Sequence, residues 1–153
     1  MDAKNIIQQG ERAKYIVTSN RQDFDFGQND YYLELHYGMM GKKTVIQKSE
    51  FQNLNDNWVF SFDTSEMVGK LIARLVMTID GREEVDEQYI AVVISTPCPQ
   101  FMKCPKCDST KHDVTYKRTD ESDIGEKYAI LCDKDGTPIL TSNDEYLCVL
   151  RSI

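Results

Sequence analysis

Leu33, Leu35 and Tyr37 alternate with Glu34 and His36, and Trp58, Phe60 and Phe62 alternate with Val59, Ser61 and Asp63. Successive side chains of an extended chain point to opposite faces, so a period of two predicts a strand with one face on a core. The same sorting puts Leu71, Ala73, Leu75, Met77 and Ile79 on one side, and Ile72, Arg74, Val76 and Thr78 on the other. Further strands are expected over 13–19, 43–48, 88–95 and 113–118. Turn-forming runs separate them: Gly27-Gln28-Asn29-Asp30, the 53–57 stretch Asn-Leu-Asn-Asp-Asn, and Asp80-Gly81. About seven short strands with turns every 8 to 12 residues or so predict a mainly β fold, an antiparallel sandwich of immunoglobulin-like architecture. A small barrel is the alternative.

Helical periodicity is scarce. The segments 49–54 and 64–70 have room for one helical turn each, the second closing at Gly69. Past residue 118, Asp120 or Ser122 can cap a short helix that puts Ile124, Tyr128 and Leu131 on one face. The chain is then expected to finish as a β-hairpin of 137–142 with 145–151, turning at Asn143-Asp144, with Tyr146, Cys148 and Leu150 sharing a face. The organisation expected is a sandwich core over 1–95, a cysteine-rich loop over 96–112, and a closing strand, helix and hairpin over 113–153.

A chain of 153 residues suits one buried core rather than two large domains. No apolar run approaches the roughly 20 residues of a membrane helix, so no membrane is expected. The N-terminus has neither a basic flank with a long apolar stretch nor a cleavage site of small residues, which predicts folding in a cytoplasm without a signal peptide. A net charge of −7 opposes nucleic acid, because phosphate binding is driven by clustered lysine and arginine. Tyr116, Lys117 and Arg118 are the residues a single strand would use, and Tyr116 reads better as a core residue.

The five cysteines, an odd number without a secretion signal, point to metal before disulfides. Cys104-Pro105-Lys106-Cys107 has the spacing with which one tight turn offers two thiolates to a zinc ion. The expected remaining ligands are Cys98 and His112, with Cys132 in reserve. Their expected convergence rests on 88–95 and 113–118 pairing as antiparallel neighbours, which would place Cys98 and His112 at the two bases of one loop. A site of Cys98, Cys104, Cys107 and His112 would be closed and structural, lacking the open position of a catalytic zinc. Cys148, within a strand, reads as a small buried hydrophobe.

Catalytic signatures are missing from the sequence. There is no Gly-x-Ser-x-Gly elbow, Gly-rich phosphate loop or His-Glu-x-x-His, and His36 lies in an alternating strand. Asp133-Lys134-Asp135-Gly136 lacks the closing carboxylate of a calcium loop and reads as a turn. No enzyme is expected.

The stretch 57–65, Asn-Trp-Val-Phe-Ser-Phe-Asp-Thr-Ser, followed by Met67 and by Gly69-Lys70-Leu71-Ile72-Ala73-Arg74, resembles the immunoglobulin-like domains at the start of phage baseplate upper proteins. The likeness spans about residues 10–95 and consists of a strand, an Asp-Thr-Ser corner and a return strand. The whole chain, with Thr96-Pro97-Cys98-Pro99 leading to the cysteine pair, is also similar to uncharacterised proteins from phages and prophages of gut bacteria. The resemblance implies a virion structural protein, made in the bacterial cytoplasm and incorporated in the particle, whose partners are other phage structural proteins or further copies of itself. The alternative is an intracellular zinc-knuckle adaptor that binds a host or phage protein.

Overall fold

In the computed structural model the alternating segments are strands. The structure describes residues 5–38, 41–95, 112–119, 134, 135, 137 and 139, and the backbone of 101–105, 128–130 and 145–150. The strands are β1 (Ile6–Gln8), β2 (Arg12–Ser19), β3 (Tyr31–Tyr37), β4 (Lys42–Gln47), β5 (Gln52–Leu54), β6 (Asn57–Asp63), β7 (Gly69–Ile79) and β8 (Arg82–Ile94). They are followed by β9 (Phe101–Pro105), β10 (Val114–Arg118), β11 (Tyr128–Ile130) and β12 (Glu145–Leu150). A five-stranded sheet in the order β1-β8-β7-β3-β4 packs on a four-stranded sheet in the order β10-β2-β6-β5, making a β-sandwich. A three-stranded sheet, β11-β12-β9, holds the C-terminal strands. No helix among the described residues is long and apolar enough to cross a membrane.

The alternation expected from sequence decides what is buried. Leu33 and Leu35 of β3, all five odd-numbered residues from Leu71 to Ile79 on β7, and Ala13, Tyr15 and Val17 of β2 are buried. Phe60 and Phe62 meet Tyr15 at 5.9 Å between ring centroids, stacked, and Tyr116 of β10 meets Phe60 edge-on at 6.1 Å. Each large apolar side chain removed from water contributes about 1.5–3 kcal/mol, so these rows dominate the stability of the sandwich.

Two hairpins fix register with two-residue turns whose central residues have positive φ, the form that matches strand twist. Asp80 and Gly81 (φ 52° and 78°) join β7 to β8. Asn55 and Asp56 (φ 52° and 67°) join β5 to β6 without a glycine. At the corner between β6 and β7, Thr64 is fully buried: its hydroxyl donates to the Glu11 carbonyl at 2.7 Å and accepts from the Gly10 N–H at 3.0 Å.

A bulge in β8 sets up everything that follows. Leu71 of β7 pairs with Ala91, but Ile72 pairs with Tyr89, so Ile90 is an extra residue in β8 and its inward parity changes there. Beyond the bulge the inward positions are Ala91 and Val93; before it they are Glu84, Asp86 and Gln88, opposite Met77, Leu75 and Ala73.

Four sequence expectations are corrected. Strands β8 and β10 are not neighbours: β8 pairs with β7 and β1, whereas β10 pairs with β2 in the opposite sheet, because β2 offers β10 a free apolar edge. Tyr128 belongs to a strand rather than a helix, since residues 128–130 pair with 148–150, and the start of the expected helix lies outside the described residues. The expected terminal hairpin gives way in part: the described partners of β12 are β11 and β9, residues 137 and 139 are not strand, and the rest of 137–142 lies outside the described residues. Of the two expected helical turns, one is a 3-10 turn at Lys48–Glu50 that gives way to β5, and the 64–70 stretch is a corner entering β7 at Gly69.

Candidate functional site: the polar seam and the cysteine strands

The inward carboxylates and amide of β8 are each answered by a group from the β2 and β10 side. The Arg21 guanidinium bonds to both carboxylate oxygens of Asp23, at 2.9 and 3.0 Å, and also contacts the Glu84 carboxylate. The bidentate contact from Arg21 holds the Asp23 carboxyl below its usual range. The Gln88 amide donates to the Val114 carbonyl at 2.5 Å and to Asp86 Oδ2 at 2.7 Å. Polar groups facing inward cost free energy unless hydrogen-bonded; Gln88 and Asp86 meet that requirement across the two sheets, whereas Glu84 Oε2 has the ionic contact with Arg21.

His112 closes the seam. Its Nδ1 lies 3.1 Å from Asp86 Oδ1, with the carboxylate side chain 12% and the imidazole 32% exposed. An imidazole that donates Nδ1–H to a carboxylate leaves Nε2 as the lone-pair nitrogen, the arrangement that orients histidines toward metal. Asp86 was not legible as part of a site, since its inward direction depends on the bulge.

The cysteines divide between described and undescribed chain. Cys98, Cys107 and Cys132 lie outside the described residues. Cys104 is on β9, opposite Tyr146 of β12, and Cys148 of β12 is opposite Met102. Cross-strand partners share a face, so Cys104 and Cys148 occupy one face at diagonal positions, about 7–8 Å apart between Cα atoms in such a register. His112 meets β8 at Asp86, eight residues before Ile94, so it is not beside the point where the cysteine loop leaves the strand. Spacing alone therefore no longer pairs Cys98 with His112. Among the described residues, no three His, Cys, Asp or Glu side chains cluster as a metal site.

A second polar constellation lies on the outer face of the five-stranded sheet. Glu34 of β3, its side chain 8% exposed, receives Arg74 Nη1 at 2.8 Å, Lys43 Nζ at 3.1 Å and His36 Nε2 at 3.1 Å. Cross-strand register produces the cluster, because Arg74 is opposite Glu34 on β7 and Lys43 is opposite His36 on β4. Hydrogen bonds from His36, Arg74 and Lys43 pull the Glu34 carboxyl down to about 2.

Tyr116 is a core residue, and Arg118 beside it is buried against Glu11 at 2.9 Å and the Ile6 carbonyl at 3.4 Å. Neither side chain is presented to a base or phosphate; Lys117 alone of the three is exposed.

Comparison with protein-family models, with curated proteins and with solved structures finds no match for this chain. The site must be interpreted from its own residues.

Proposed function

We propose that the chain is a non-enzymatic component of a phage particle or of its assembly, built on an immunoglobulin-like sandwich and acting through protein–protein contacts. The observation that carries this reading is strand order. Strands β2, β6 and β5 stand where B, E and D stand in an immunoglobulin sandwich, and β8, β7, β3 and β4 stand where G, F, C and C′ do. The Asp63-Thr64-Ser65 corner, on which the resemblance to baseplate domains rests, is the hydrogen-bonded crossing between the E-like and F-like strands. Quantitative mass spectrometry of purified particles and of assembly intermediates tests the proposal. A stoichiometric presence in either supports it; abundance in infected cells with absence from both overturns it.

In the same reading Cys104 and Cys107 hold a structural zinc, completed by two ligands from Cys98, His112, Cys132 and Cys148. Support comes from the donor chemistry: thiolates two residues apart, an imidazole oriented through Nδ1 by Asp86, and a third cysteine on the face of Cys104. Metal analysis of protein purified without chelator is expected to give one zinc per chain, and serine at each of the four candidate partners in turn identifies the set. Absence of stoichiometric metal removes the zinc.

The second reading, a zinc-knuckle adaptor for a host or phage protein, is supported by the contact of His112 with Asp86: if His112 ligates the ion, it would tie the metal loop to the sandwich and fix it as a recognition surface. Pull-downs with the wild type and Cys104→Ser distinguish the two readings, since an adaptor loses a host partner and a particle component keeps its contacts with structural proteins.

A further inference from the structure

The two sheets are left open along one flank. Strand β5 covers β6 only from Asn57 to Val59, so among the described residues Ser61–Asp63 has β2 on one side and no strand on the other. Across the gap runs β4, itself an edge strand. The chain crosses between sheets at both ends of the gap, through Lys48–Glu50 and through the Thr64 corner. The result is a framed cleft of about 380 Å³. Its floor is apolar, made by Tyr37, Ile46, Phe62 and Met67.

The backbone direction on the open side follows from the ladder. In a two-residue hairpin the residues flanking the turn, Leu54 and Asn57, are the hydrogen-bonded pair, and the pattern alternates from there. Asn57, Val59, Ser61 and Asp63 therefore turn their N–H and C=O groups away from β2, while Trp58, Phe60 and Phe62 turn theirs toward it. The bond from Thr64 N–H to the Glu11 carbonyl at 3.2 Å continues the second series and confirms the phase. The peptide groups of Ser61 and Asp63 thus face the cleft, with no strand among the described residues to receive them.

Charge selects the occupant. Glu50, Asp63 and Glu66 line the cleft against one guanidinium, Arg12, which donates to Ser61 Oγ at 3.2 Å. Two of the acids are engaged locally, Glu50 by the Gln47 N–H and Asp63 by Ser65, while Glu66 is exposed. We propose that this cleft binds an extended segment of another protein by strand addition to β6 at Ser61 and Asp63, with a lysine or arginine of that segment placed between Glu66, Glu50 and Asp63. An extended chain satisfies the open peptide groups, its alternate side chains reach the apolar floor, and its cation meets the acidic rim. This interaction would give the particle or adaptor a defined peptide contact, but its basis is the cleft alone, independent of those readings.

A random heptapeptide display library panned on the full chain supplies the probe. The expected enrichment is for β-branched sequences with one fixed basic position. In the complex with a selected peptide, amide exchange at Ser61 and Asp63 should slow by about tenfold or more, as for newly bonded strand amides. Glu66→Lys should weaken binding by about tenfold and Glu83→Lys, at the far hairpin, should leave it unchanged. Ser61→Pro, which removes an N–H the ladder does not use, should abolish it; Glu66→Lys keeps the test decisive if that variant folds poorly. No enrichment, enrichment without a basic position, indifference to Glu66→Lys, or unchanged exchange at Ser61 and Asp63 would each overturn the proposal.

Discussion

The hydroxyl of Thr64 is bonded to the Glu11 carbonyl at 2.7 Å, fully buried, and ties the β6–β7 corner to the turn between β1 and β2. Thr64→Val keeps the shape and removes the bond, leaving the Gly10 N–H without its acceptor and the Glu11 carbonyl with the bond from the Thr64 N–H. An unsatisfied buried backbone group costs about 1–3 kcal/mol, and a urea midpoint lowered by that amount is expected, with Thr64→Ser recovering most of it. An unchanged midpoint would mean that water takes over the Gly10 N–H.

Glu34 makes stability depend on acid. Its folded carboxyl is held near 2, below the unfolded value, so the unfolded chain binds the proton first as pH falls. The contribution is full above the unfolded pKa of about 4.5 and is lost as pH drops through the folded value near 2. Lys43 and Arg74 are partly exposed, so solvent screening limits the loss on Glu34→Gln to about 1 kcal/mol at neutral pH. Thermal midpoints from pH 2 to 5 should vary less in that variant than in the wild type.

The Asn55-Asp56 turn holds two non-glycine residues at positive φ. Asp56→Gly relieves the side-chain clash at φ 67°, and a gain of about 0.5–1 kcal/mol in denaturant unfolding is expected. A loss would show that the Asp56 side chain stabilises the turn by more than its backbone costs.

Two tyrosines bear on the alkaline side. The hydroxyls of Tyr31 and Tyr116 are buried with no hydrogen-bond partner among the described residues. Burial pushes Tyr31 up to about 12, and burial, then the nearby Asp86 carboxylate, pushes Tyr116 well above its usual range. The unfolded chain ionises these phenols near 10, so stability is full below that pH and falls as pH rises toward the folded values. Tyr116→Phe should be neutral or stabilising by up to about 1 kcal/mol at pH 7 and should flatten the loss above pH 10. A clear destabilisation at pH 7 would reveal a bound water on the hydroxyl.

Asp86 orients His112. If His112 ligates zinc, Asp86→Asn should lower zinc affinity by about 10- to 100-fold in chelator competition. Zinc affinity unchanged by Asp86→Asn and by His112→Ala would assign the pair to holding the sheets together.

The strands were legible because β3, β6 and β7 each alternate over a long enough run to specify a face. What was not legible depended on events between strands. Gln88, Tyr89 and Ile90 give no local sign that Ile90 is bulged, so neither the direction of Asp86 nor its contact with His112 could be read. The strand at 113–118 formed as expected, but its pairing with 88–95 failed for a related reason: apolar alternation states that Val114 and Tyr116 face a core, but not which sheet they join. Tyr128 satisfied a helical spacing that its pairing with Leu150 overrode. The Glu34 cluster needed cross-strand register, which places Arg74, forty residues away, directly opposite.

The extra residue at Ile90 gives one strand two kinds of interior. On one side of it the inward row of β8 is apolar, with Ala91 and Val93 buried; on the other it is polar, with Asp86 and Gln88 facing the opposite sheet. A mainly apolar scaffold thereby keeps one end open to revision, where new contacts can be acquired without repacking the rows of Leu75 and Phe60.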